Sequence, residues 1–588
     1  MTALRYLLAL PGQGFGTGNR GISLVGSPEL ARGDAPALWC SDESKLIWAH
    51  DRRTLVVGHL FDRAGFRPVA AIADSAVAAL RSSPDLFIED HWGSYLAIIA
   101  GADDFQTLRD PTGIMPCYIR KLDGCLFLAS DVGALEAARL APGRVDWDRL
   151  SEFLQAPGIR RRATCLEGID ELPPGVLTGF GSEGRSERRL WTPWAFTGAE
   201  RRISSDRAAA ALRDSVCSSI AAMGGGFDNI VVGMSGGLDS SIVCAALAAA
   251  DLRFTALTMY TGDPSGDERA YARLVAAGTG APLHEHRYDI ERIDLSKSVS
   301  GHLPRPVGRQ FMQEIERAYR AEVAAQGFDA IFTGNGGDNV FCYLHSAAPV
   351  VDRLRCARGR RGVARTVVDM CRITQCDLAT MLRATLSLLV RRPPREPVAD
   401  LRLIDVDRQG MGWSRVLTPY LDEVTEDHGK AETFPGKRAH IDMIVRIQNH
   451  VEGYDRSVLP PSIAVLLAQP IVETCLRIPT WEWCRGGINR AIAREAFSDL
   501  LPAPVLARRS KSGPESLTAE VFELGRPVLR DMLLGGALRD NRIIDAAAVE
   551  AALDDPAITR GQLLYRLLEL AEAEAWARSW RERVSAGA

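Results

Sequence analysis

The sequence of 588 residues predicts an α/β protein built from two unlike domains. The first third of the chain consists of short alternating runs separated by Gly, Pro and Asp, which indicates an antiparallel α+β domain. The next part alternates apolar strands with helical patterns, which indicates a parallel, doubly wound sheet. The remainder, from about residue 345, has a helical pattern. Because the chain is too long for one core, we predict one domain over residues 1–195 and another over residues 205–588.

Individual elements follow from the same patterns. Strands of the first domain are predicted at residues 54–62, 93–101, 117–122 and 124–131. In the second domain, helices are predicted at residues 206–223, 240–250 and 268–280, and strands at residues 229–234, 254–260, 283–288 and 328–334. A polar, turn-rich stretch over residues 188–204 is the predicted linker.

Composition narrows the class of protein. A net charge of −4, with 46% hydrophobic and 24% charged residues, gives no argument for a nucleic-acid or membrane partner. No apolar run reaches the roughly 20 residues of a membrane span, and the first residues lack a signal-peptide cleavage pattern. The twelve cysteines include no CxxC pair, which favours free thiols over disulfides or zinc. We expect a cytoplasmic protein that binds no nucleic acid and does not insert stably into a membrane.

One segment, at about residues 350–400, is unusually rich in arginine. Between Arg353 and Arg395 the sequence has eleven arginines against two aspartates. A solvated helical insertion and a surface for an acidic or peptidic partner are both compatible with this composition. Nucleic acid is disfavoured because aromatic residues for base stacking are absent.

The first chemical motif is SGGLDSS at residues 235–241, where a strand ends in a Gly-rich turn and a helix begins. Such a turn presents backbone N–H groups and the positive end of the helix to an anion. Close backbone approach and hydroxyl donors would come from Ser235, Gly236, Gly237, Ser240 and Ser241. Asp239 would repel a phosphate unless a divalent cation stood between them, so it implies Mg²⁺. The motif lacks the lysine of GxxxxGK[ST] loops.

The second motif is TGNGGDNVF at residues 333–341, another strand end, with Gly334, Gly336, Gly337 and Asp338. In a parallel sheet, ligands bind beyond the carboxyl ends of the strands. Asp239 and Asp338 are therefore the predicted metal ligands and catalytic carboxylates, holding Mg²⁺ against bound phosphates.

These motifs carry a family resemblance. The first is similar to the PP-loop of ATP pyrophosphatases, which implies that Met259 lies near the adenine. Both motifs, together with the runs GDERAYARLVAAGTGAPLHEH and RAIAREAFSDLLPAPVLARRSKSG, resemble the asparagine synthetase family. Lys511 falls where that family carries its catalytic lysine. LRDPTGIMPCYI and LEGIDELPPG resemble the family's glutamine amidotransferase domain, which is of the N-terminal nucleophile (Ntn) class.

Three departures from the family narrow the resemblance further. Thr2 stands where glutamine-dependent members have a cysteine, which implies a degenerate amidotransferase-like first domain. Asn335 and Asn339 replace acidic residues of asparagine synthetases, and an amide cannot accept a proton at neutral pH. The stretch from residue 459 to residue 494 keeps Pro470 and Glu473 but loses the charged residues that in asparagine synthetases help to bind a free amino acid. Together with GNGGDN and CRGGINRAIAR, this resembles the lasso peptide macrolactam synthetases.

The resemblance implies an ATP-dependent, AMP-forming ligase. It would adenylate an Asp or Glu side chain of a precursor core peptide and join it to the peptide's N-terminal amine, releasing AMP and pyrophosphate. Lys511 would stabilise the negative charge that develops. A leader peptidase and a leader-binding protein are the expected partners. A small-molecule amide or β-lactam synthetase, an ammonia-using asparagine synthetase and a non-catalytic peptide-binding scaffold remain alternatives.

Overall fold

The computed structural model describes most of the chain. The described residues are 2–10, 22–31, 36–51, 53–101, 104–140, 143–181, 184–356, 360–390, 400–405, 434–509 and 515–587. Lys511 therefore lies outside the described residues. The arginines of the predicted insertion at positions 358, 391, 392 and 395 lie outside them as well.

The described first part of the chain forms two sheets. The first sheet has the strand order β10-β8-β9-β1-β3-β2 and is antiparallel except for the parallel β2–β3 pair, and the second has the antiparallel order β12-β11-β7-β6-β5-β4. The strands are β1 (Tyr6–Leu10), β2 (Ser23–Leu24), β3 (Ala37–Cys40), β4 (Leu46–Trp48), β5 (Thr54–Asp62), β6 (His91–Ala100), β7 (Phe105–Arg109), β8 (Tyr118–Leu122), β9 (Cys125–Ala129), β10 (Ile169–Glu171), β11 (Val176–Gly181) and β12 (Gly184–Arg189).

Alternation along the strands explains how these sheets stack. On β1, Tyr6 and Leu8 point towards the second sheet and share a core with Leu55 of β5. Leu7 points to the opposite side, into a core with helices. Val56 on β5 likewise packs against helices on the outer face of the second sheet. Side chains that alternate in this way produce a four-layer order of helix, sheet, sheet and helix.

The second part of the chain contains a five-stranded parallel sheet with the order β15-β14-β13-β16-β17. Its strands are β13 (Ile230–Gly233), β14 (Phe254–Tyr260), β15 (Leu283–Arg287), β16 (Ala330–Thr333) and β17 (Ser462–Ala464). Leu212 and Ile242 pack on one face, and Tyr319 packs on the other. Because helices cover both faces, the inner strands β13, β14 and β16 are mostly apolar, whereas the edge strand β15 (LHEHR) is polar. The sheet is doubly wound.

Helices make up most of the remainder. The described α-helices are α1 (Asp74–Ser82), α2 (Pro84–Asp90), α3 (Val132–Ala137), α4 (Trp147–Gln155), α5 (Ala208–Gly224), α6 (Leu238–Ala249), α7 (Arg269–Thr279), α8 (Met312–Gln326), α9 (Gly337–Val340), α10 (Ala348–Arg355), α11 (Val363–Thr374), α12 (Leu378–Val390), α13 (Pro435–Ile447), α14 (Gln469–Arg477), α15 (Ala491–Ala496), α16 (Ala503–Ala507), α17 (Glu515–Leu534), α18 (Ala537–Asp540), α19 (Ala546–Asp554) and α20 (Gln562–Gly587). Among these helices, none has the length and apolar character needed to cross a membrane.

The mixed α/β class is confirmed, with one difference in the region predicted to be helical. β17 is a strand, and it pairs with β16 as an edge of the parallel sheet. The division near residues 195–205 stays a prediction. Phe61 and Trp92 of the first part share one core with Ile230 and Leu466 of the second.

Candidate active site

Two Gly-rich loops lie side by side at the carboxyl edge of the parallel sheet. From β13 the chain order runs outward through β14 and β15 on one side, and from β16 to β17 on the other. The boundary between β13 and β16 is therefore the point where the winding changes direction. Crevices at such a point are where doubly wound sheets bind ligands.

Packing explains the glycines of the first loop. Gly236 has a φ of +68°, and a Cβ there would lie 2.8 Å from the Cβ of Tyr271 and 3.0 Å from the carbonyl oxygen of Glu268. Only glycine accepts that conformation and that contact without strain. The loop leads directly into α6, with Gly237 as its N-cap residue.

The three serines gather around the first turn of α6. The Ser241 hydroxyl donates to the Gly237 carbonyl at 2.7 Å, and the Ser240 hydroxyl donates to the same oxygen at 3.3 Å. The hydroxyl oxygens of Ser235 and Ser240 are 3.4 Å apart. The first N–H groups of a helix have no partner within the helix. A turn of this kind therefore suits a phosphate oxygen.

The second loop is held against the first by its own glycines. A Cβ on Gly334 would lie 2.7 Å from the backbone nitrogen of Ser240. A Cβ on Gly337 would lie 2.5 Å from the Cβ of Asp239. Gly336 has a φ of +86° and lies against Leu467. The contacts of Gly334 and Gly337 bring the two loops together. The role in phosphate binding that the sequence predicts for these glycines stays a prediction.

One arginine that the sequence did not single out joins the two predicted metal ligands. Nη1 of Arg490 donates to the two carboxylate oxygens of Asp239 at 2.9 and 3.1 Å and to Oδ1 of Asp338 at 2.5 Å. Its guanidinium also stands over the ring of Tyr343, 5.0 Å from the centroid. Asp239 and Asp338, one from each loop, therefore meet at a single cation.

Backbone and electrostatics act in opposite directions on Arg490. Its φ of 52° is in the left-handed region, directly before α15 begins at Ala491. Burial opposes the charge of the guanidinium, but the carboxylates of Asp239 and Asp338 outweigh it and raise the pKa of Arg490. The left-handed conformation costs an arginine roughly 1–2 kcal/mol.

A second arginine fixes the chain that leads to Lys511. Arg494 donates to the carbonyl oxygens of Leu506 at 2.6 Å and of Arg508 at 2.9 Å. Burial, followed by the nearby Arg490, lowers the pKa of Arg494 to about 10. Arg508 in turn donates to the Gly236 carbonyl at 3.4 Å and forms an ion pair with Glu268.

Both flanks of the segment that carries Lys511 therefore lie at the same edge of the sheet. Arg508 is at the loop after β13. After the segment, α17 begins at Glu515. A Cβ on Gly266, in the loop after β14, would lie 3.5 Å from the hydroxyl oxygen of Ser516. The catalytic role of Lys511 stays a prediction.

At the carboxyl edge of the parallel sheet, Met259 is partly buried and Asn335 is exposed. Met259 lies near the carboxyl end of β14 and is partly buried against the core on the α8 side. Its predicted place near the adenine stays a prediction. Asn335 is exposed in the second loop, and the side-chain amide of Asn339 donates to the Met443 carbonyl at 2.8 Å.

The chemistry of the two loops fits Mg²⁺ bound together with phosphates. No group of three or more His, Cys, Asp or Glu side chains in the described residues is arranged to hold a metal alone. Mg²⁺ usually takes one or two carboxylates and completes its shell with substrate phosphates and water. Asp239 and Asp338, both within hydrogen-bonding distance of one nitrogen, supply this number of carboxylates.

Two other carboxylates of the second part of the chain, Glu452 and Glu473, have structural partners. Glu452 forms an ion pair with Arg160 and accepts a hydrogen bond from Tyr118 at 2.8 Å. Glu473 accepts from Arg63 at 2.9 Å and from the indole of Trp191 at 3.0 Å. Both glutamates therefore tie the second part of the chain to the first.

Glu452 belongs to a larger group, which we call the buried ion cluster. Its members are Arg109, Arg160, Glu171, Arg305 and Glu452. Glu171 accepts from Arg109 at 2.6 Å, from Arg160 at 2.8 Å and from Arg305 at 2.8 Å. Burial raises the pKa of Glu171, but the three guanidinium groups outweigh burial and hold it well below its usual range.

Thr2 lies in a different part of the molecule from the two loops. It lines a cavity of about 270 Å³ together with His59, Trp92 and Phe227. Asp329, also in the lining, directly precedes β16, so the cavity touches the amino edge of the parallel sheet. Burial lowers the pKa of His59 to about 4, so its imidazole is neutral at pH 7. No cysteine is among the described lining residues.

Comparison with known proteins agrees with the motifs. The asparagine synthase family model matches residues 212–578, more than half of the chain. No curated protein matches. The chain is similar to the allosteric regulatory enzyme of purine biosynthesis, with 11% identity over 49% of this chain and 74% of the other and a TM-score of 0.20. It is also similar to a glutamine phosphoribosylpyrophosphate amidotransferase from B. subtilis complexed with ADP and GMP, with 11% identity over 49% and 75% and a TM-score of 0.19.

TM-scores this low do not establish a common fold, so the family of the chain is assigned from the family match. It supports an ATP-dependent ligase that forms carbon–nitrogen bonds, in a family that uses ATP, typically with Mg²⁺ and through AMP. The chain belongs to the asparagine synthase family.

Proposed function

We propose that this chain is a peptide cyclase that uses ATP to close a macrolactam ring, as the lasso peptide macrolactam synthetases do. It would adenylate an Asp or Glu side chain of a precursor core peptide, and the peptide's N-terminal amine would then displace AMP. The observation that carries the proposal is Asn335, exposed beside the Asp239–Asp338 pair where asparagine synthetases have an acidic residue.

The first step is adenylation. A carboxylate oxygen of the substrate attacks the α-phosphorus of ATP, and pyrophosphate leaves with the electron pair of the bond that breaks. The first loop and the N-terminus of α6 would hold the pyrophosphate, as in PP-loop ATP pyrophosphatases. Asp239 and Asp338 would hold Mg²⁺, which neutralises phosphate charge when bound. Arg490 keeps the two carboxylates together and offers a guanidinium suited to a phosphate oxygen.

The second step is amide formation. The amine nitrogen attacks the acyl carbon, the bond from that carbon to the AMP oxygen breaks, and AMP leaves. Negative charge develops on the acyl oxygen and on AMP, and Lys511 is the residue we propose to stabilise it. Arg494 and Arg508 support this role because they fix the chain just before Lys511 at the loop after β13.

An N-terminal amine suits a site without the family's acidic residue. A free α-amine has a pKa of about 7.7–8.0, so an appreciable fraction is neutral near pH 7, whereas a lysine amine near 10.4 is almost fully charged. Glu473, the carboxylate kept in the stretch that binds a free amino acid in asparagine synthetases, is engaged by Arg63 and Trp191. The absence of an acidic residue at position 335 and the engagement of Glu473 by Arg63 and Trp191 both favour a peptide substrate over a free amino acid.

The Arg-rich insertion is our proposed surface for the leader-binding protein and the leader peptidase. Its helix α11 contacts the loop that leads to Arg490. The backbone N–H of Gly486 bonds Asp369, and a Cβ on Gly487 would lie 2.6 Å from Cδ of Arg372. A partner on this surface would therefore be linked through α11 to the segment that positions Arg490.

A small-molecule amide or β-lactam synthetase would use the same two loops, so the test must separate the substrates. The purified chain is incubated with ATP, Mg²⁺ and a library of peptides that each have a free N-terminus and one Asp or Glu. A product lighter by one water, with one AMP released per product, supports the peptide cyclase. Turnover of free aspartate or a small β-amino acid, with none of any peptide, would support the alternative.

A further inference from the structure

We propose that His345 is the group that takes the proton from the attacking amine. This inference rests on the proposed function and adds a general base to it. Once the amine nitrogen has attacked the acyl carbon it carries a positive charge, and the C–N bond persists only if a proton leaves. Asn335 and Asn339 cannot accept that proton. A base must therefore come from elsewhere at the same edge of the sheet.

His345 is placed at that edge through Tyr343. The backbone N–H of Tyr343 donates to the carbonyl oxygen of Asp338 at 2.9 Å, which folds the chain after α9 back onto the second loop. The ring of Tyr343 lies under the guanidinium of Arg490, 5.0 Å from its centroid. The imidazole of His345 contacts the same ring edge-on, with centroids 4.6 Å apart.

These contacts form a short chain from the carboxylate pair to an exposed imidazole. Asp338 holds Tyr343, the ring of Tyr343 lies beside Arg490, and His345 follows at the solvent side. His345 is exposed, as a group that meets a substrate and returns its proton to water must be. Imidazole is also the side chain that most often serves as a general base near neutral pH.

The other described histidines of the second part of the chain have different surroundings. His284 and His286 both contact Glu322, at 2.8 and 2.7 Å, on the edge strand β15. His440 is buried behind α9, contacts the Val340 carbonyl and has a pKa lowered by burial to about 3. His302 and His450 also have pKa values lowered by burial. Among the described residues, His345 is the histidine that combines exposure with a contact to the site.

The proposed step balances as follows. The nitrogen lone pair forms the new bond to the acyl carbon, and the electrons of the acyl C–O bond leave with AMP. One N–H proton passes to an imidazole nitrogen of His345, which releases it to water after the product has left. No step of adenylation involves this proton, so losing His345 should slow ring closure and leave formation of the acyl-adenylate intact.

The test separates the two half-reactions in His345→Ala and His345→Gln. The probe is the library peptide that the unaltered chain cyclises fastest. Adenylation is followed by peptide-dependent exchange of labelled pyrophosphate into ATP, and ring closure by the peptide that has lost one water. We expect near-normal exchange and a ring closure slowed by about 100-fold, the lower end of general-base effects. Added imidazole should partly restore ring closure in His345→Ala.

His50→Gln is the matched control, because His50 is an exposed histidine of the first part of the chain. It should leave both half-reactions unchanged. Ring closure at the normal rate in both His345 variants would overturn the proposal. An equal fall of exchange and ring closure that imidazole does not restore would also overturn it, since that result indicates a structural role. If the unaltered chain shows no peptide-dependent exchange, the proposed function itself fails, and the role of His345 fails with it.

Discussion

Arginines meet carboxylates in two regions of this molecule, and the two regions handle the charge differently. In the buried ion cluster, three guanidinium groups surround Glu171, and the paired side chains of Arg109 and Glu171 are 2% and 4% exposed. At the carboxyl edge of the parallel sheet, one guanidinium serves two carboxylates, which are 14% and 22% exposed.

The difference lies in what else holds each charge. Arg109 also donates to the carbonyl oxygens of Leu172 at 2.6 Å and Gly113 at 2.8 Å, so the buried cluster is saturated by the protein. Asp239 and Asp338 share one nitrogen of Arg490, and their carboxylates stay partly exposed. A saturated, buried cluster holds parts of a fold together. A shared cation beside a turn that would bind phosphate can exchange its partners for a substrate and a metal.

The largest effect on activity is expected from changes in Asp239 and Asp338, the two carboxylates at the carboxyl edge of the parallel sheet. Asp239→Asn and Asp338→Asn keep the shape but remove the negative charge that would hold Mg²⁺. Loss of a metal's electrostatic contribution amounts to several kcal/mol, so we expect each change to slow adenylation by about 1,000-fold or more. Pyrophosphate exchange measures the loss. Urea denaturation should show a smaller fall in the free energy of unfolding than a change in the buried ion cluster, because Arg490 keeps one of its two carboxylate partners.

The matched control for Asp239 is Asp251→Asn, just beyond the other end of α6. Asp251 is exposed and has a φ of 55°, a conformation that asparagine tolerates well. The rate of pyrophosphate exchange should stay normal in Asp251→Asn. If Asp251→Asn and Asp239→Asn were equally impaired, the effect would belong to α6 as a whole and not to the carboxylate pair.

The buried ion cluster should respond in the opposite way. Glu171→Gln leaves three guanidinium groups around a neutral side chain, and breaking a buried ion pair from one side costs about 3–5 kcal/mol. We expect a fall of that size in the free energy of unfolding, measured by urea denaturation. The fraction that remains folded should adenylate at the normal rate. A catalytic defect without a loss of stability would contradict the comparison.

Arg490→Lys tests the sharing itself. Lysine keeps the charge but loses the remaining guanidinium nitrogens, which would be left for a phosphate while Nη1 holds both carboxylates. We expect adenylation to slow by about 10- to 100-fold, which is about 1.4–2.8 kcal/mol in the barrier. The KM for ATP and kcat are measured separately, with Arg485→Lys as control because Arg485 pairs with the exposed Glu495. Identical kinetics for Arg490→Lys and the unaltered chain would mean that Arg490 is only structural.

The smallest expected effect is on the pH dependence of the free energy of unfolding. Because the pKa of Glu171 is lower in the folded chain than in the unfolded one, its ionised form contributes stability above the unfolded value of about 4.3. That contribution is lost as the pH falls through and below this value. The stability difference between the unaltered chain and Glu171→Gln should therefore shrink gradually from pH 6 to pH 3.5. A difference that grows on acidification would reverse the sign of the shift.

Much of the fold follows from local patterns in the sequence. The predicted strands at residues 54–62 and 254–260 coincide with β5 and β14, because long apolar runs bounded by turn residues are the clearest local pattern. β17 was missed because it has only three residues and follows two prolines. Its pairing with β16 depends on tertiary structure and not on its own sequence.

The candidate site was predictable in part for the same reason. Asp239 and Asp338 stand in Gly-rich motifs at strand ends, which local reasoning finds. Arg490 is 251 positions from Asp239, and nothing near it in the sequence shows that it returns to both carboxylates. The one local feature near Arg490 is the glycine pair in CRGGINR, which allows a tight turn before α15 but does not indicate the contact with the two carboxylates.

The central claim is that this chain activates a peptide carboxylate through AMP and closes a ring. The most direct measurement uses the library peptide that is turned over, with ¹⁸O in its Asp or Glu side-chain carboxylate. Adenylation followed by amine attack leaves one carboxylate oxygen on AMP, so we predict one ¹⁸O in each AMP and a cyclic product that has lost one water. Unlabelled AMP, or ADP and phosphate as products, would contradict the account.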